Sequence, residues 1–259
     1  MNYFTEQSIE LANQRNYLDL LFRVYPLRPD TIREIPQDRW HSIESNFNQH
    51  NNVALFKDLL SLDLFPIKDG YVPFFRRDPS AVERNPETVN RICGRIYELG
   101  LDRVYEKCTE PKETNRQMGN LFRRWVNTGA LGVIPVPESE FAATNDNAVL
   151  AGTDASLAEY ARKNLGYNRE KGLDFLARFN GRYIIGEAKF ISDEGGHQND
   201  QFLDAMATLQ TPLNENVIPV AILDGVLYIR SRKKMYRDIT SNDKNVMSAL
   251  LLRNFLYSI

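Results

Sequence analysis

The sequence predicts an α/β protein: a mostly helical first part followed by a core in which strands and helices alternate. Two observations carry that prediction. One is the stretch 172–190, GLDFLARFNGRYIIGEAKF, in which two β-rich runs flank Asn180-Gly181. Asn-Gly is the strongest short-range signal for a two-residue hairpin turn, because both residues tolerate positive φ. The other is the helical periodicity of the segments before it. The clearest is 87–99, with Val89, Ile92, Cys93, Ile96 and Leu99 on one stripe and Gly100 as its stop.

The elements follow in order. Residues 8–25 carry apolar side chains at partly helical spacing and predict one helix closed by Pro26. Residues 38–48 and 52–62 predict two short helices, and 66–75 a turn at Lys68-Asp69-Gly70 with a short extended piece. A further helix is expected from about 112 to 126. The loop-rich join IPVPESEFAATNDN then marks a change of texture. Asp154 or Ser156 caps a helix through Lys163, the 172–190 hairpin follows, and Gly195-Gly196 opens a loop into a helix over 199–209. The β-branched run 217–223, interrupted by Pro219, is expected to turn at Asp224-Gly225 into a second hairpin strand over 226–231. A helix over 245–257 closes the chain. The expected division is a mostly helical region at 1–140, packed on or beside an α/β core at 141–259.

Composition narrows the class. A chain of 259 residues, 42% hydrophobic and 25% charged, is an ordinary globular protein. It contains no apolar run of membrane-spanning length, and its start lacks the basic and apolar regions of a signal peptide. Cys93 and Cys108 form no CxxC pair and are expected as reduced thiols in a cytoplasmic protein. Three histidines leave little room for a His-rich zinc site. The net charge of −2 gives no global sign of a polyanionic partner, so any such partner must use local patches. Candidates are Arg76-Arg77, Arg123-Arg124 and the segment YIRSRKKMYR, where Tyr228 and Tyr236 bracket Arg232, Lys233 and Lys234.

The hairpin carries the chemistry. Counting back from a two-residue turn, Phe179 faces Arg182 and Asp174 faces Glu187. Period two then puts Lys189 on the face of Glu187. Like charges opposite each other across two strands are destabilising, so a divalent cation between them is the expected reason for the pair. Glu110-Pro111-Lys112 has the same E-x-K spacing, but proline excludes it from a central strand. The apolar residues on both faces of the hairpin imply a strand buried on both sides, where a glutamate and a lysine need a functional reason.

Asp174 followed by Glu187-Ala188-Lys189 at the end of an apolar strand resembles the signature of the PD-(D/E)XK nuclease superfamily. The order helix, Asp strand, ExK strand, helix, strand resembles that superfamily's core over roughly residues 150–230. Leu173 stands where that signature often has proline. The resemblance implies a restriction-endonuclease-like core with a central mixed sheet flanked by helices. It also implies Mg²⁺ held by Asp174, Glu187 and the Ala188 carbonyl, with Lys189 acting on the attacking water or on transition-state charge. Glu159, on the preceding helix, is implied as a further metal ligand, against its local alternative of pairing with Lys163. Gln198, Gln201 and His197, in the polar segment after the lysine strand, are implied as DNA contacts, and Arg232, Lys233 and Lys234 join them as basic candidates.

The expected function is a type II restriction endonuclease: Mg²⁺-dependent, site-specific cleavage of double-stranded DNA by a homodimer, with a cognate DNA methyltransferase as genetic partner. A repair or recombination nuclease on the same core is the alternative, disfavoured by the long N-terminal region and the slightly acidic balance. A non-catalytic DNA-binding module is remote, because Asp, Glu and Lys are all in register. A metabolic α/β enzyme lacks support, because no glycine-rich phosphate loop or nucleophile elbow occurs.

Overall fold

The structure, a computed structural model, describes residues 1–26, 32–111 and 114–259, with side chains from 118 onward in the last stretch. The chain forms two compact units, one of Met1–Leu27 with Glu113–Ile259 and one of Arg28–Lys112. The expected boundary at residue 140 therefore lies inside the first unit.

Helices α1 (Tyr3–Ala12) and α2 (Tyr17–Val24) open the first unit. They replace the single helix expected over 8–25. Asn16 takes φ 73°, a left-handed conformation that asparagine tolerates, and so breaks the helix. The second unit holds α3 (Gln37–Asn48), α4 (Asn52–Leu60), α5 (Val72–Arg77), α6 (Ala81–Arg84), α7 (Pro86–Leu99) and α8 (Leu101–Thr109). Its core is Ile43, Leu55, Phe56, Leu59, Ile92 and Ile96 with their neighbours. The extended piece expected near 66–75 is instead α5, which proline opens in its first turn. Cys93 and Cys108 are free and buried there, and burial pushes both thiols up to about 12.

Back in the first unit come α9 (Thr114–Asn127), α10 (Glu138–Ala143), β1 (Ala148–Val149), α11 (Asp154–Asn164), β2 (Phe175–Phe179), β3 (Arg182–Ile191) and α12 (His197–Thr208). They are followed by β4 (Val217–Gly225), a 3-10 turn (Val226–Tyr228), α13 (Lys234–Thr240), β5 (Val246–Met247) and α14 (Ala249–Ser258). Residues 112 and 113, where the helix before Arg123 was expected to start, lie outside the described residues, as does Lys112 of the E-x-K decoy.

Among the described residues the sheet has the order β1-β2-β3-β4-β5. β1, β2 and β3 pair antiparallel, while β3, β4 and β5 pair parallel. The turn at Asn180 (φ 50°) and Gly181 (φ 76°) gives the register counted from sequence, with Phe179 opposite Arg182 and Phe175 opposite Gly186. The second expected hairpin does not form. β4 runs parallel between β3 and β5, and Leu227 and Tyr228 bury themselves beside Ile191 and Met235 instead of continuing as a strand. Gly225, at φ 104°, lies so close to the Ile191 carbonyl that a side chain there would collide with it.

Pro219 is tolerated within β4 for a geometric reason. The Ala221 N–H points toward β5, to the Asn245 carbonyl at 2.9 Å. Two residues back, proline's missing N–H faces the same side, where β5 has not yet begun.

One sheet face, through Phe175, Ala177, Ile184, Ala188, Val220 and Ile222, packs on α2, α9 and α14. The other face carries two separate clusters. Leu176 and Ile185 pack with α11, whereas Ile191, Ala221 and Leu223 pack with α12. Glu187 and Lys189 lie along β3 between these two clusters, and this gap is the candidate site.

Candidate active site

Asp174 precedes β2 by one residue and is tied to β3 by its N–H, which donates to the Gly186 carbonyl at 3.1 Å. The loop before it is packed closely. The Leu173 N–H donates to the Asp154 carbonyl at 3.0 Å. A Cβ added at Gly172 would stand 2.6 Å from the Asp154 Cβ, so only glycine lets the loop approach the start of α11. Leu173 itself is fully buried in the α11 cluster, which anchors the residue next to the aspartate.

The side chains converge as the counted register requires. Lys189 Nζ donates to Asp174 Oδ2 at 2.6 Å and to Glu187 Oε2 at 2.8 Å, and the Ala188 N–H donates to the same Asp174 oxygen at 3.0 Å. Glu187 is 1% exposed, and its Oε1 is buried without a partner among the described residues. Burial and the neighbouring Asp174 raise the Glu187 carboxyl above its usual range against the pull of Lys189. Burial also works to raise Asp174, but the Lys189 ammonium and the Ala188 N–H outweigh it and hold that carboxyl low. Burial would depress Lys189, yet the two carboxylates hold its ammonium above the usual lysine range. Two carboxylates and one ammonium removed from water form poor evidence of a stabilising device. An unpartnered buried carboxylate oxygen is costlier still.

Groups that the sequence did not single out for this site surround the cluster. Arg123 of α9 bonds the Asp154 carboxylate through Nη2, and the same nitrogen lies 3.9 Å from Asp174 Oδ1. Lys171 and Arg169 both pair with Asp204 of α12, the arginine at 3.0 Å. In the sequence Arg123-Arg124 stands out only as a basic pair and Asp154 only as a candidate helix cap. The cap is in fact Thr153, whose hydroxyl accepts from the Ser156 N–H, with Asp154 as the first helical residue. No local pattern distinguishes Lys171.

Glu159 instead makes the local pair, with Lys163 Nζ at 2.7 Å on an exposed part of α11. Gln198 is 7% exposed, and its Oε1 accepts from the Ser192 N–H at 3.3 Å, bracing the loop after β3. Gln201 is half-buried on α12, and the His197 ring is exposed beside Asp200 at 3.8 Å. Arg232, Lys233 and Lys234 are exposed. Lys233 Nζ lies 4.0 Å from Glu194, and Lys234 shares a groove with Asn199, Asp200 and Leu203. The two segments expected to contact DNA, far apart in sequence, thus meet where α12 begins.

Among the described residues, no helix is long and apolar enough to cross a membrane. No curated protein and no solved structure matches the chain. The model of one protein family, the Tsp45I type II restriction enzyme, matches residues 2–259. That match covers nearly the whole chain, including both units and the Asp174, Glu187 and Lys189 cluster. It carries with it site-specific endonuclease action on double-stranded DNA, ahead of the repair-nuclease and non-catalytic alternatives. The chain belongs to the Tsp45I type II restriction enzyme family.

Proposed function

We propose that Asp174, Glu187 and Lys189 are the catalytic residues of this restriction endonuclease and that the reaction uses Mg²⁺. The observation that carries the reading is the buried, unpartnered Glu187 Oε1 beside Asp174, at the end of the strand that also bears Lys189. Asp174, Glu187 and the Ala188 carbonyl would hold the ion, an all-oxygen set of the kind Mg²⁺ prefers. Bound there, Mg²⁺ would polarise the phosphoryl oxygen and lower the pKa of its water.

The chain's own residues do the rest. Two of the three Lys189 donors go to Asp174 and Glu187, which leaves a third N–H for the attacking water or the phosphate. Before a metal ion binds, the two carboxylates hold Lys189 above the usual lysine range as an ammonium, a group able to stabilise developing negative charge. The Ala188 N–H and the Gly172 close approach keep the Asp174 carboxylate from rotating away. Hydrolysis joins the water oxygen to phosphorus, breaks the bond to the leaving alkoxide, and returns one proton to that alkoxide.

The protein acts as a homodimer on a two-fold site. Residues 1–140 contribute DNA recognition and dimer contacts, with Gln198, Gln201, His197, Arg232, Lys233 and Lys234 as DNA contacts. It works in a prokaryotic cytoplasm, where a cognate methyltransferase protects host DNA. Digestion of a long phage DNA with Mg²⁺ is expected to give discrete bands, and chelation to stop cutting. Asp174→Ala, Glu187→Ala and Lys189→Ala are each expected to lower the rate at least about 1,000-fold. Normal cutting by these variants would refute the assignment, and a smear of fragments would refute site specificity.

A further inference from the structure

We infer that Arg123 is a phosphate-binding residue of the active site, kept in place by Asp154 until DNA arrives. This rests on the catalytic reading of Asp174 and Glu187 above.

Arg123 comes from α9, on the sheet face opposite α11, and its guanidinium reaches the start of β2. The side chain is 27% exposed, while the Asp154 carboxylate it bonds is 55% exposed. Arginine has five N–H donors in a rigid fork. Among the described residues one nitrogen meets Asp154, while Nε is buried without a partner. Asp174 Oδ1 is 3.9 Å away, too far for a hydrogen bond and near enough for charge attraction. Oδ2 of the same carboxylate already accepts from Lys189 and the Ala188 N–H. The guanidinium therefore stands on the open side of Asp174 with donors unspent.

A guanidinium fork suits the tetrahedral oxygens of a phosphodiester better than it suits one distant carboxylate oxygen. Its support is rigid. Asp154 is joined to the loop bearing Asp174 through the Leu173 N–H and the Gly172 close approach, so Arg123 is indexed to the same loop as the aspartate. The competing account is a pin between α9 and α11. A half-exposed ion pair contributes little to stability, which is poor compensation for leaving Nε buried and unpaired.

The test uses the full chain and a short duplex containing a site that the wild type is found to cut. With Ca²⁺ in place of Mg²⁺, duplex binding is measured by fluorescence anisotropy from 50 to 200 mM salt. Losing one phosphate contact flattens the log–log salt slope by about one. Arg123→Ala is expected to show that flattening, an unchanged melting temperature, and a cleavage rate about 100-fold lower or worse with Mg²⁺. Arg123→Lys is expected to restore the slope and only part of the rate, because a lysine donates from one point. If Arg123→Ala fails to fold, Arg123→Gln carries the same comparison. An unchanged salt slope, or cleavage within a few-fold of wild type, overturns the inference. If the wild type itself does not cut with any divalent ion, the catalytic reading fails, while the salt slope, measured then on a duplex of arbitrary sequence, still tests Arg123.

Discussion

Asp224 ends β4 and is fully buried, and it offers a sharp test of the physical account. Its carboxylate accepts from Tyr25 Oη at 2.9 Å, Tyr17 Oη at 3.3 Å, Ser248 Oγ at 2.5 Å and the Ala249 N–H at 3.2 Å. It thereby joins the end of α2, the start of α14 and the centre of the sheet. Burial raises its pKa to about 6, even against those donors. In an unfolded chain an aspartate titrates near ~3.9.

The folded state therefore holds one more proton than the unfolded state between these two values. Stability falls with rising pH across that window, by about 1.4 kcal/mol per unit, or about 3 kcal/mol in all. The contribution is fully present below pH ~4 and is lost once pH passes about 6. Asp224→Asn removes the titration. Urea denaturation of both proteins at half-unit steps from pH 4 to pH 8 gives the stability difference, in which all other groups cancel. The variant is expected to gain about 3 kcal/mol relative to wild type between the ends of the window. A difference that stays flat within ~0.5 kcal/mol would refute the buried-carboxylate argument.

Glu187→Gln removes the charge whose Oε1 has no partner, so the metal-free protein is expected to melt about 3 °C higher while cleavage is lost. If Mg²⁺ raises the melting temperature of this variant as much as that of wild type, Glu187 is not a ligand. Gly172→Ala places a Cβ 2.6 Å from the Asp154 Cβ and must push the Asp174 loop away. It is expected to cost about 1–3 kcal/mol of stability and about 10- to 100-fold in cleavage, and normal values of both would show that the loop yields freely. Arg178 is buried in β2, and its guanidinium donates to the carbonyls of Phe141 (2.7 Å) and Asp146 (3.1 Å). Arg178→Ala strands those acceptors and is expected to destabilise by about 3 kcal/mol in denaturant titration; a loss under 1 kcal/mol would mean that water replaces the guanidinium.

The amino-acid sequence by itself determined the hairpin and what it carries. Asn180-Gly181 admits essentially one two-residue turn. A turn of known length sets the register of every residue beside it, so Asp174, Glu187 and Lys189 were legible as one cluster. The helices with long periodic stripes, α7 above all, were equally legible, because a stripe at helical spacing has a single structural reading. Tertiary structure decided the rest. Asp224-Gly225 carries the same turn chemistry as a hairpin, yet it serves a buried network, because α2 and α14 supply hydroxyls that no local pattern announces. β5 is two residues long and exists only because β4 is there to pair with it. Arg123 reaches Asp174 from a helix on the far face of the sheet, while Glu159, well placed by sequence order, finds its partner four residues away in Lys163. Local geometry follows from local residues, whereas a charge takes whichever partner the folded chain brings nearest, and that is not written in its neighbourhood.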